Sequence, residues 1–307
     1  MTRTVLGFVA VGLATFAAPA HAATINSVYG SSITSDPNAA AIESTINQAV
    51  QFYELNISTA VTVTIDFQEM SSGLGQSSTY YGAITYSQYL SALQSHSSGN
   101  AVDTAALASL PGGPNNPVNG TTTVNVTTAN LRALGFSAVP PGGAADSTVS
   151  VNTSITNYGG NYNPSFYSLL AVIEHEMDEA LGLGSNLGSG TMNTAVRPED
   201  LFRYSASGVR SYTTSSSATS YFSINGGVTN LINFNQSGGG SDYGDWASSG
   251  TPHVQDAYGT PGSAPSLGVE LTALDAIGYN FVSTPEPASF WLVGLGAVCF
   301  LVRRRRA

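Results

Sequence analysis

The sequence predicts an α+β domain: a mixed sheet, a central helix that carries the chemistry, and an irregular C-terminal subdomain. Three observations lead there. Apolar residues recur at helical spacing between Asp36-Pro37 and Leu55, residues 61–67 and 147–155 alternate with period two, and turn residues dominate beyond Gly190.

Taken in order, Asp36-Pro37 opens a helix whose buried face is Ile42, Ile46, Ala49, Val50, Tyr53 and Leu55, and residues 61–67 (VTVTIDF) follow as a half-buried strand. Residues 86–93 and 104–110 read as short helices, and 124–134 as a strand or turn leading into another. Residues 147–155 alternate as a strand just before the helix at 168–184. Short strands are expected around 221–224 and 231–234, and residues 270–279 read as a last helix closed by Gly278. There is no internal repeat.

Residues 168–184 read SLLAVIEHEMDEALGLG. At about 100° per residue, Phe166, Leu169, Leu170, Ile173, Met177, Ala180 and Leu181 share one sector, and His175, Glu176, Glu179 and Gly182 face the other way. One side therefore packs into a core and the other faces a cleft. His175 and Glu179, spaced i, i+4, can hold one ion between them, with Glu176 beside them. Acidic residues on an outer helical face are ordinarily a solvated face and nothing more. Here Glu174, Glu176, Asp178 and Glu179 crowd four like charges into six positions, which destabilises a helix unless a cation offsets them. With no lysine in the chain and few arginines, a divalent metal is the simpler counter-charge.

This segment resembles the active-site helix of the zinc metalloproteases, whose pattern is H-E-x-x-H, extended in the metzincins to H-E-x-x-H-x-x-G-x-x-H. The chain has His175-Glu176-Met177-Asp178-Glu179, then Gly182 at the metzincin glycine and Ser185 at the third histidine. The order of elements, long helix, strand, excursion, strand and motif helix, is similar to the N-terminal subdomain of a zincin. The resemblance implies a zincin-like domain over residues 23–283, with zinc bound by His175 and Glu179 and with Glu176 as the base that takes a proton from water during peptide hydrolysis. Glutamate is an allowed zinc ligand, whereas a neutral serine hydroxyl is a poor one, so the third ligand must come from elsewhere. His21 lies in the N-terminal targeting segment and His96 in a polar Ser/Gly stretch, which leaves His253, in a segment suited to fold back over the helix. Asp200 and Glu199 are the carboxylate alternatives, and a hydrogen-bonded structural role for His253 is equally open. A carboxylate in place of a histidine leaves less positive charge at the metal, so a weak or narrow activity is expected. No Met-turn is assigned, because Met192 lies too close to the motif helix.

The two ends speak to location. Residues 1–22 contain Arg3, an apolar stretch from Val5 to Ala18 and the A-x-A site Ala20-His21-Ala22, the pattern of a secretory signal peptide. Residues 284–307 open with Thr284-Pro285-Glu286-Pro287, continue with an apolar run over 288–302 and end in four arginines at 303–306. That run is short against the roughly 20 residues of a full span, but flanking arginines can snorkel, which suits transient membrane insertion. The tail is similar to the PEP-CTERM sorting signal. That resemblance implies a Gram-negative source, recognition by an exosortase-type enzyme, removal of the tail, and delivery to the envelope or extracellular matrix.

Charged residues make up only 9% of the chain, and removing both ends takes away five of its nine basic residues. The acidic remainder excludes nucleic acid as a partner, since phosphate backbones are bound by clustered Lys and Arg. The single cysteine, Cys299, lies in the terminal apolar run, so the domain has no disulfide. About 260 residues remain, enough for a core of adequate size. The functions expected are an exported zinc-dependent peptidase acting on protein or peptide or, alternatively, a non-catalytic envelope or biofilm-matrix binding protein on the same fold. A carboxylate-pair glycosidase fits poorly, because Glu176 and Glu179 share one helix.

Overall fold

The computed structural model describes residues 23–160, 162–237 and 242–282. The signal peptide expected at 1–22 and the sorting tail expected at 284–307 lie outside the described residues. The chain begins with β1 (Ala23–Tyr29), α1 (Ser31–Thr34), α2 (Ala39–Asn56), β2 (Val61–Glu69), β3 (Gly75–Thr79) and β4 (Tyr81–Thr85). It continues with α3 (Tyr86–His96), α4 (Ala101–Ser109), β5 (Thr123–Thr127), α5 (Thr128–Ala133), β6 (Ser147–Val151), β7 (Thr156–Asn157), β8 (Tyr167–Ser168) and α6 (Leu169–Leu181). Short strands follow, β9 (Ala195–Val196), β10 (Arg203–Ala206), β11 (Val209–Arg210), β12 (Tyr221–Phe222) and β13 (Ile232–Asn233), with a 3₁₀ turn at Glu199–Phe202, before α7 (Val269–Ala276). The mixed α+β character read from the sequence is what the chain has.

The first sheet runs in the order β1-β2-β6-β3; β1, β2 and β6 are parallel, and β3 closes the edge antiparallel to β6. Alternation in β2 places Val61, Val63, Ile65 and Phe67 in the core while Thr62, Thr64 and Asp66 point away. Helices α2 and α6 pack on this sheet and on each other. The buried face of α2 is Ile42, Ile46, Ala49, Val50 and Tyr53. Leu55, expected on that face, is exposed: two residues past Tyr53 is a rotation of about 200°, and Ile57 at the helix end fills the core instead. Residues 153–155, expected as strand, form a single 3₁₀ turn after β6.

The ends of α6 are fixed by local chemistry. Ser168 caps the start, its Oγ accepting the Ala171 N–H at 3.3 Å. Gly182 ends the helix at φ 139°, and a Cβ there would press on Ile277 at 3.0 Å and Asn130 at 3.3 Å. The free Leu181 carbonyl accepts from Tyr279 Oη at 2.8 Å and Thr127 Oγ1 at 3.2 Å, which ties the helix end to the segments after α7 and β5.

The second half is built from a small antiparallel sheet, β11-β10-β12-β13, and a three-stranded sheet, β4-β5-β9, shared with the first half. Phe222, Phe234 and Trp246 pack ring to ring, with Phe202 against Phe222, and Trp246 is fully buried. That cluster anchors the loop that crosses in front of α6.

Candidate metal centre

Helix α6 offers His175 and Glu179 one turn apart, as their spacing predicts, with Nε2 and Oε1 separated by 3.7 Å. The third group is Asp245, whose Oδ1 lies 3.6 Å from His175 Nε2. One donor atom from each of the three lies within 4.8 Å of the others, so together they could hold a metal ion. The histidine ring is oriented from behind: its Nδ1 is 3.0 Å from the Val254 carbonyl oxygen. When Nδ1–H is donated there and an ion replaces the proton on the other nitrogen, the ring's Nε2 lone pair faces the cluster. Glu179 is held from β3, where Ser77 Oγ donates to its Oε2 at 2.5 Å. One imidazole and two carboxylates are a donor set suited to zinc and to other first-row divalent ions.

Glu176 stands beside the cluster and is buried. It sits against β3 at Gly75, where an added Cβ would collide with its Oε1 and come within 2.8 Å of Val172. Glycine at this position is therefore what lets strand and carboxylate share the space. Together these groups line a cavity of about 350 Å³, walled by β3 through Gly75 and Ser77, by α6, and by the loop carrying Val254.

Burial pushes Glu176 and Asp245 well above the usual carboxylate range, and the charge of Glu179 adds to both. Burial also acts to raise Glu179, but the contact with His175, that ring's charge and the Ser77 hydroxyl outweigh it and hold the group below its ordinary value. His175 is drawn the other way: burial would lower it, yet the charges of Asp245 and the α6 glutamates carry it well above its ordinary value.

The crowding of four acids on one helix needs correction. Glu174 and Asp178 are buried on the side of α6 away from the cleft and do not join the cluster. Tyr53 of α2 shares its hydroxyl proton with Asp178 Oδ1 at 2.8 Å and the Glu174 carbonyl oxygen at 3.1 Å. Burial, reinforced by Glu270, raises Glu174 to about 7 and Asp178 well above its ordinary value. Both lie away from the cavity, so an ion held by His175, Glu179 and Asp245 would not be their counter-charge.

The other residues singled out from the sequence have distinct places. The segment around His253 does fold over α6, and His253 is among the residues lining the cavity, but it is not in the three-residue cluster; its backbone N–H donates to Asp256 Oδ2 at 3.0 Å. Glu199 and Asp200 are buried behind the helix end, where Glu199 accepts the Gly184 N–H and Asp200 accepts the N–H groups of Asn186 at 3.0 Å and Arg197 at 2.8 Å. They shape the loop after α6. Ser185, at the position of the metzincin histidine, bonds to Asp200. Asp245 escaped sequence reasoning, although its neighbours carried a signal. It stands between Gly244, whose backbone packs directly on Gly184, and Trp246 of the aromatic core. These anchors bring the Asp245 backbone to α6, and Gln255 Nε2 donates to its Oδ1 at 3.1 Å.

Comparison with protein families matches residues 283–306 to the PEP-CTERM protein-sorting motif. The motif marks the chain for export, for sorting to the cell envelope in Gram-negative bacteria, and for recognition by an exosortase-type sorting enzyme. No curated protein and no solved structure matches the chain. Among the described residues no helix is long and apolar enough to cross a membrane, and the apolar run of the tail lies outside them.

Proposed function

We propose that the domain is an exported zinc-dependent peptidase of zincin-like design that hydrolyses peptide bonds. The observation that carries this reading is the placement of Glu176 beside the His175, Glu179 and Asp245 cluster at the wall of one cavity. The order of elements leading to α6 supports it, as does β3. That strand ends its sheet and borders the cavity through Gly75, Gln76 and Ser77, so an extended peptide can lie along it as an added strand.

In this reading His175 Nε2, Glu179 Oε1 and Asp245 Oδ1 hold the ion. Bound zinc supplies Lewis acidity, polarising a carbonyl group and lowering the pKa of water towards neutrality. Glu176 takes a proton from the attacking water on its carboxylate and passes it to the leaving amine nitrogen. Val254 keeps His175 in the tautomer that leaves Nε2 free, and Ser77 fixes the Glu179 carboxylate. Two carboxylates leave less net positive charge than a three-histidine set, so catalysis is expected to be modest.

The test is elemental mass spectrometry of the purified protein beside His175→Ala and Glu176→Gln. About one zinc per chain, lost in His175→Ala and kept in Glu176→Gln together with loss of peptide hydrolysis, is the expected result. Absence of metal from the parent protein overturns the peptidase reading and leaves a non-catalytic envelope or matrix-binding domain. Undiminished hydrolysis by Glu176→Gln removes Glu176 as the base.

A further inference from the structure

Resting on the reading of this cluster as a metal centre, we infer that Gln255 is its fourth protein ligand, acting through the side-chain amide oxygen. The residue is fully buried, and its backbone is pinned on both sides: its N–H donates to Glu270 Oε1 at 3.1 Å and its carbonyl accepts the Trp246 N–H at 2.8 Å. Its neighbour Val254 supplies the carbonyl that orients His175, so one turn of chain both sets the ring and delivers the amide. The amide nitrogen lies 3.3 Å from His175 Nε2 and 3.1 Å from Asp245 Oδ1, between two of the three donors. The amide oxygen, equally buried, has no hydrogen-bond partner among the described residues.

A fold does not leave a buried acceptor unpaired without cost. The two faces of a glutamine amide differ by a half-turn about one bond. A cation takes the single lone pair of His175 Nε2, removing one acceptor from the Gln255 amide hydrogens, and its charge repels those still facing Asp245 Oδ1. The half-turn then presents Oε1 in place of Nε2, and the unpaired oxygen becomes a neutral donor beside two carboxylates and an imidazole. The resulting set, one nitrogen and three oxygens, shifts the centre towards harder divalent ions than a three-histidine site prefers.

The experiment is a Zn²⁺ titration against a chromophoric chelator for the parent protein, His175→Ala, Gln255→Ala and Gln255→Glu, with the shift in thermal midpoint on adding Zn²⁺ read in parallel. Gln255→Ala is expected to weaken Zn²⁺ binding by about tenfold or more. Gln255→Glu keeps an oxygen and loses the amide hydrogens, so it binds at least as tightly as the parent. Weaker binding by Gln255→Glu overturns the inference, because the amide would then serve only as a donor that positions Asp245; this variant alone decides the matter if Gln255→Ala does not fold. Unchanged affinity in Gln255→Ala, with binding lost in His175→Ala, also overturns it while leaving the metal centre intact. No Zn²⁺ binding by the parent removes both together.

Discussion

Gly75→Ala tests the way strand and helix share the cavity wall. The three atoms nearest the added carbon are the Glu176 Oε1 and Cδ atoms and Val172 Cγ1, the last at 2.8 Å, so the new methyl meets two buried side chains of α6 and no metal donor. Overpacking of this kind costs about 1–3 kcal/mol. At roughly 2–4 °C per kcal/mol for a domain of this size, the thermal midpoint should fall by about 3–10 °C. Circular dichroism melts read the shift, and a double-mutant cycle identifies its cause. In a Glu176→Ala background the carboxylate is gone and Gly75→Ala should cost less, with a coupling of about 1 kcal/mol or more. Zinc content should be unchanged, while displacement of Glu176 by about 1 Å lowers kcat/KM on a peptide by about 100-fold. Equal costs in the two backgrounds would refute the contact as the source, and an unshifted midpoint would refute the close approach altogether.

Tyr53→Phe leaves Asp178 Oδ1 buried without its donor, when Oδ2 already has none, and is expected to cost about 1–3 kcal/mol in urea denaturation. Asp275 gives a pH dependence with a definite sign. Burial, only partly offset by Asn100, raises it to about 7, so the folded state holds an extra proton and the associated stability is full below about pH 4 and lost as pH rises through 7. Asp275→Asn should therefore match the parent at low pH and exceed its stability at pH 8; a constant difference across the range speaks against the assignment. Zinc titration separates Asp245 from His253 as the third ligand, with Asp245→Asn losing affinity by about tenfold or more and His253→Ala keeping it.

Elements with an apolar rhythm were legible in the sequence. Strand β2 and helix α2 each bury one periodic face; α6 is buried nearly all round, Glu174, Glu176 and Asp178 included, and carries its chemistry on the residues that interrupt the apolar rhythm. Strand β3 was not legible, because GQSST has no apolar residue and is defined only by its partner β6. The opening strand β1 passed unread for a related reason: its place at the sheet edge depends on pairing with distant β2. Within the site, His175 and Glu179 followed from spacing alone, since a helix converts i, i+4 into proximity. Asp245 and Gln255 are brought to them by tertiary packing around Trp246, which leaves no periodic trace. His253 drew attention as the right residue type on the right loop, two positions before the side chain that reaches the cluster.

Asn280 joins three parts of the chain just before the described residues end. Its backbone N–H reaches Thr59 Oγ1 at 2.7 Å, its carbonyl accepts the Ser58 N–H at 2.8 Å, and its amide group exchanges bonds with the His96 carbonyl and the Ser98 N–H. Phe281 pairs with Ile57, and Val282 N–H bonds to the Asn56 carbonyl at 2.7 Å. Tension applied at Val282 would therefore be delivered first to the end of α2 and the lead into β2. These bonds stand between the chain's exit and α7, whose Glu270 holds the Gln255 N–H, so a pull on the exit meets them before it reaches the cleft.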